Sequence, residues 1–144
     1  MNIEEILVSV LSGNNTKIQE AENCLRKFAE NNYGSMLTQL AQILSEENIS
    51  VDKRQLSASI IRNSVREGDS SNWISLNNDI KENIKTNVLA SLASQHKEIR
   101  KSGSLAVAGI YFFIKIRNCK CWNPQKFMEG YYLYFNNNCK SYKS

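Results

Sequence analysis

The chain has 144 residues, 42% of them hydrophobic, with one proline and six glycines, which supplies apolar material for a core in long stretches free of helix breakers. Its formal charge of +4 is unevenly placed: residues 1–110 hold 12 Lys and Arg against 13 Asp and Glu, a net of −1, whereas residues 111–144 hold 6 against one. The main body therefore lacks a basic footprint for nucleic acid, no apolar run approaches the roughly 20 residues of a bilayer span, and Met1-Asn-Ile-Glu-Glu5 lacks the positive start of a signal peptide.

Apolar residues at helical spacing mark six helices. The first covers 2–11, with Ile3, Ile6, Leu7, Val10 and Leu11 on one stripe. Ser12-Gly-Asn-Asn15 ends it. The second begins at Asn15 or Thr16, where Thr16-Lys-Ile-Gln19 has the form of a capping box, and buries Ile18, Ala21, Leu25, Phe28 and Ala29. Asn31-Asn-Tyr-Gly34 turns the chain. The third helix covers 35–45, with Met36, Leu37, Leu40, Ala41, Ile43 and Leu44 apolar. Ser50 caps a fourth that reaches about residue 66 and buries Leu56, Ala58, Ile60, Ile61 and Val65. After the loop chemistry of Glu67-Gly-Asp-Ser-Ser-Asn72, the fifth and longest starts at Trp73 or Leu76 and runs to Leu92. Its buried residues Leu76, Ile80, Ile84, Val88 and Leu92 recur every four positions, and Trp73 is buried near its start. The sixth starts near Glu98, carries Ile99, Leu105, Val107, Ala108 and Ile110, and continues to about Arg117 through Phe113 and Ile116.

No alternating strand pattern persists before residue 110. Short links make successive helices antiparallel. Three hairpins of about 35–45 residues each indicate an all-α chain, an α-solenoid of about three HEAT repeats; a compact six-helix bundle is the alternative that the period leaves open.

Chemistry-bearing clusters are few. Cys119-Lys-Cys121 has one intervening residue, too few for a zinc knuckle, Cys139 stands apart, and the single histidine, His96, lies far upstream. Cys24 sits on an apolar helical face as a small core residue. With no phosphate loop and no paired-carboxylate motif, the reading is of a non-enzyme with neither metal nor cofactor, in a reducing compartment.

One stretch is more specific: Arg54-Gln-Leu-Ser-Ala-Ser-Ile-Ile-Arg-Asn-Ser-Val65, then Trp73-Ile74, Lys85 to Leu92, and Ser102-Gly-Ser-Leu-Ala-Val-Ala-Gly-Ile110. Across residues 1–110 the chain resembles the N-terminal domain of the importin-β (karyopherin-β) nuclear transport receptors. Val107-Ala-Gly-Ile110 matches the importin-β branch better than the transportins and exportins. The resemblance implies stacked helix pairs whose second helices line a concave face and bind the GTPase Ran in its GTP state. It places Arg62 where the family has a basic residue that pairs with an acidic side chain of Ran, and Asn63 beside it as a support for interhelix hydrogen bonding. A second family lysine is replaced by Gly68; Arg66, one turn after Arg62 on the same face, takes its place. In a full-length receptor of this family, importin-α or cargo and the nucleoporins bind as well, and the protein moves between cytoplasm and nucleus through the nuclear pore. The other reading of the same helices is a generic helical-repeat scaffold for a different protein.

Residues 1–113 are thus read as the HEAT-repeat domain and 114–144 as a separate basic and aromatic tail. The tail's Tyr, Phe, Lys, Asn and Ile are what A/T-rich DNA encodes, so it is expected to be intron read-through or a frame error in a gene model. Stacking of Trp122, Tyr131 and Tyr132 on single strands and contact with a membrane surface are the functional alternatives, and neither nucleic acid nor membrane is the expected partner.

Overall fold

The computed structural model describes the backbone of residues 1–67 and 71–117 and the side chains of 1–65 and 72–112. All regular structure among these residues is helical: α1 (Ile3–Leu11), α2 (Asn15–Ser45), α3 (Val51–Glu67), α4 (Ser71–Ile74), α5 (Asn78–Ala90), a 3₁₀ turn (Ser91–Ala93) and α6 (Lys97–Arg117). The expectations for Gly68 and for residues 118–144, including Cys119, Cys121, Cys139, Trp122, Tyr131 and Tyr132, lie outside the described residues.

Capping residues set most of the boundaries. Asn2 caps α1, accepting from the Glu5 amide at 2.8 Å while its own amide donates to the Glu5 carboxylate at 3.0 Å. Gly13, at φ +71°, reverses the chain after α1 in a conformation that costs a side chain strain. Asn14, not Asn15 or Thr16, caps α2, accepting from the Lys17 amide at 3.2 Å. The turn predicted at 31–34 is a break inside α2: Asn32 has φ −155° and ψ 76°, and its side chain accepts from the Ser35 amide at 3.1 Å. Asn32 thereby caps a second arm, residues 33–45, and the two arms match the predicted second and third helices.

The predicted fifth helix is divided. Asn77 accepts from the Asp79 amide at 2.9 Å and starts α5 afresh. Trp73, 3% exposed, is buried as expected, but within the separate α4. The sixth helix does reach Arg117.

Contacts between the helices fix a two-layer order. The Tyr33 hydroxyl donates to the Ser64 carbonyl at 3.0 Å and Arg54 Nε donates to the Leu44 carbonyl at 3.0 Å, so the second arm of α2 and α3 run antiparallel. Gly34 faces Leu76 and Ile80, and the Ser45 hydroxyl meets Asn87 Oδ1 at 3.3 Å, so the same arm and α5 run parallel. Arg54 reaches Ser94 and Arg62 lies against Gly109, so α3 and α6, which share the most extensive contact among the described helices, also run parallel. First helices of successive pairs therefore pack side by side in one layer, and second helices in another. This is the stacked-pair order of an α-solenoid rather than of a closed bundle.

The core follows the predicted stripes closely in the second arm of α2, where Met36, Leu37, Leu40, Ala41, Ile43 and Leu44 are all buried. Ile3, Ile6, Leu7, Ala21, Ala58, Ile61, Val65, Trp73, Ile84, Val88, Leu92, Ile99, Ala106, Val107 and Ile110 also belong to it. Leu11 and Leu105, assigned to the core from their spacing, are 45% and 43% exposed, and Ala108 is exposed. No helix among the described residues is long and apolar enough to cross a membrane.

Candidate functional site

The α3 helix carries two described arginines whose surroundings differ completely. Arg54 is wholly buried. Its Nε donates to the Leu44 carbonyl, an acceptor that the end of α2 leaves without an intrahelical donor. Its Nη1 and Nη2 donate to the two Glu47 carboxylate oxygens at 3.2 and 3.4 Å, and Nη2 also reaches Ser94 Oγ at 3.3 Å. One guanidinium thus joins the end of α2, the 46–50 link and the turn before α6. Partial burial of Glu47 pushes its pKa up, but hydrogen bonds from Ser94 and Arg54 and the charges of Arg54 and His96 outweigh this and hold it below the ordinary 4.5.

Arg62 lies two turns further along α3 and is half-buried. It makes no hydrogen bond or ion pair among the described residues. Its aliphatic stem rests on the backbone of α6: a Cβ added at Gly109 would stand 3.2 Å from Arg62 Cγ and 3.8 Å from its Cα and Cβ. The stem is therefore packed while the charged head is left to solvent or to a partner. Asn63, next in sequence, is exposed and hydrogen-bonds to no neighbouring helix among the described residues. The interhelix hydrogen bonding expected of it has no counterpart among the described residues. The side chain of Arg66 lies outside the described residues, so of the three predicted residues the structure places two, on adjoining parts of one helix surface.

Sequence reading missed what Arg54 does. The signal was present in the spacing: Arg54, Ala58, Ile61 and Val65 lie on one face of α3, and the last three are core. An arginine on that face must either carry a full set of partners or be expelled. The seat at Gly109 was likewise visible only as a small residue in an apolar run.

On the other layer, a cleft of about 640 Å³ is bordered by Asn2, Glu4, Gln39, Gln42, Ser45 and Asn87. Its walls come from α1, α2, α5 and the link after α2, with nothing from α3 or α6, so it is separate from the Arg62 surface.

This arrangement meets a known family at the level of sequence. Residues 21–94 match the importin-beta N-terminal domain. The chain belongs to that family. Among individual relatives, importin subunit beta-1 of Arabidopsis thaliana is 24% identical over 117 residues, which cover 76% of this chain and 13% of that protein. Among solved structures, Kap95p, the yeast importin-beta, in a complex that induces the switch loops of RanGDP to adopt the GTP-bound conformation, is 26% identical with a TM-score of 0.69. That match covers 78% of this chain and 15% of the Kap95p chain. Kap95 in complex with Nup1 is 25% identical, again with a TM-score of 0.69, over 83% of this chain and 15% of that one. The importin-beta N-terminal domain described here thus spans about one-seventh of the length of its relatives, and its three helix pairs superpose on their helical-repeat array.

Proposed function

We propose that this chain is a segment of a nuclear transport receptor and contributes to binding Ran in its GTP state, with Arg62 as the charged contact, Asn63 and Arg66 of the same helix as further contacts, and no enzymatic activity. The observation that carries the reading is the contrast on α3: each guanidinium nitrogen of Arg54 has a hydrogen-bond partner, whereas the Arg62 head has no intramolecular partner among the described residues although its stem is held. A guanidinium so placed suits bidentate pairing with a carboxylate on a protein surface. The relative bound to RanGDP supports the choice of partner. If GDP-bound Ran must rearrange its switch loops to fit, it binds more weakly by the cost of that rearrangement. Nucleoporin contacts are proposed from the relative bound to Nup1, with importin-α or cargo engaged by a longer receptor. Such a protein works in cytoplasm, nucleus and nuclear pore.

The test is a titration of the 144-residue chain, parent and Arg62→Glu, against Ran loaded with GTP and with GDP, with circular dichroism to confirm helix content. The expected outcome is a preference for the GTP form and a loss of about 1–3 kcal/mol on charge reversal, the range of a charge-assisted hydrogen bond. Equal binding of both variants to Ran-GTP removes Arg62 from the site. Binding of equal strength in both nucleotide states favours a general helical-repeat scaffold instead.

A further inference from the structure

We infer that Gly109, on the neighbouring helix pair, is a positioning residue for Arg62, an inference that rests on the Ran reading above. The two residues lie on different elements, α3 and α6, and come together only because those helices run parallel in one layer. Gly109 is buried, and it lies in the interior of α6, where a glycine weakens the helix relative to alanine. The position therefore sacrifices helix propensity for close approach. What approaches is the stem of Arg62: an added Cβ would stand 3.2 Å from Cγ, tighter than ordinary van der Waals contact. With no hydrogen bond or ion pair among the described residues to fix the Arg62 head, packing of the stem on Gly109 is what restrains its direction.

A long side chain restrained before binding loses less rotamer freedom when it docks. Gly109 acts in this way: it lets Arg62 lie flat on α6, so that the guanidinium leaves the surface in one direction. The contact also makes the geometry of the charged residue depend on how the second and third helix pairs are stacked. A glycine in one repeat thus sets the presentation of an arginine in the previous one.

A glycine needed only for folding and a glycine needed for Arg62 are separated by Gly109→Ala. The methyl group's tight contact is with the side-chain Cγ of Arg62, its approach to the Arg62 Cα at 3.8 Å being ordinary van der Waals contact, and alanine strengthens α6, so the variant is expected to unfold at the same urea concentration as the parent or a higher one. Its affinity for Ran-GTP is expected to fall about two- to tenfold, the scale of one side chain's ordering cost. In an Arg62→Ala background the same substitution is expected to leave affinity unchanged, since the residue it acts through is gone. Nitrogen-15 relaxation at Arg62 Nε supplies a readout without Ran: the parent is expected to be restricted and Gly109→Ala more mobile. Unchanged affinity and unchanged Nε relaxation in Gly109→Ala would overturn the positioning role while leaving the Ran site standing. An equal loss in the Arg62→Ala background would overturn it as well, by showing that Gly109 acts elsewhere. No binding of Ran-GTP by the parent would overturn the Ran reading, and this inference with it.

Discussion

The two ends of α3 solve opposite problems with the same residue type. At its N-terminal end Arg54 is buried and engages each of its guanidinium nitrogens inside the protein, on Leu44, Glu47 and Ser94. Two turns on, Arg62 buries only its stem and keeps its charge free of ion pairs among the described residues. A buried guanidinium needs a complete set of acceptors because its desolvation is otherwise unmatched. A half-exposed one costs little to leave open and so remains available to another molecule. The difference teaches that residue type on a helix does not assign a role; the side chain's partners do.

Substitution at Arg54 should have the largest effect. Arg54→Met is expected to destabilise the fold by about 3 kcal/mol, because the Leu44 carbonyl and Ser94 lose a donor within the core. Urea denaturation measures it, and a change below about 0.5 kcal/mol, the level of ordinary surface substitutions, would erase the distinction between the two arginines.

The junction that brings α6 to α3 comes next. A Cβ at Gly103 would overlap Ser91 Oγ and stand 3.0 Å from Ser91 Cβ. Gly103→Ala should therefore cost about 1–3 kcal/mol, the range of overpacking, even though alanine favours helix. This is the reverse of the result expected at Gly109, where the neighbour is a flexible side chain. Thermal unfolding of the two variants side by side tests whether close packing at one glycine is structural and at the other adjustable.

Two titrations sharpen the comparison further. Burial pushes the Tyr33 phenol from 10.0 up to about 12. The unfolded chain loses this proton at a lower pH than the folded one, so the stabilisation is complete below pH 10 and is lost as pH rises towards 12. Tyr33 is only partly buried, which leaves an effect of about 1 kcal/mol after solvent screening. Tyr33→Phe should flatten the fall in stability over that window. Glu47 works in the other direction. Its folded pKa lies below 4.5, so its contribution is present above that pH and disappears as the carboxylate is protonated below it. Glu47→Gln should remove this acid-side loss and leave the alkaline limb untouched.

The smallest effect is expected at Asn63. Asn63→Ala should shift folding stability by less than about 0.5 kcal/mol, as at other exposed positions. A larger loss in chemical denaturation would mean that its amide supports the helix layer after all.

Much of the fold was legible because apolar spacing is a local property. The stripe Met36, Leu37, Leu40, Ala41, Ile43 and Leu44 predicted its burial without error. So did Trp73, whose size leaves few exposed solutions. Helix starts were read less well, since Asn14, Asn32 and Asn77 compete with neighbouring Asn, Ser and Thr residues for the same capping role. The candidate site was legible as far as its residue types and helix face. The role of Asn63 was not, because the spacing of α3 does not say which of its polar residues meet another helix.

By itself, then, the sequence determined the three helix pairs before residue 117 and the helix that bears Arg62, because apolar spacing along single segments encodes them, while the resemblance to the family rested on residues 54–65 and 102–110. Only the tertiary structure decided that Arg54 is a buried clasp, that Leu105 remains exposed, and that Gly109 lies under the stem of Arg62. Those facts depend on the register between α3 and α6, two parallel helices separated in sequence by α4, α5 and the 3₁₀ turn. That register is set by packing across the layer, which no local pattern encodes.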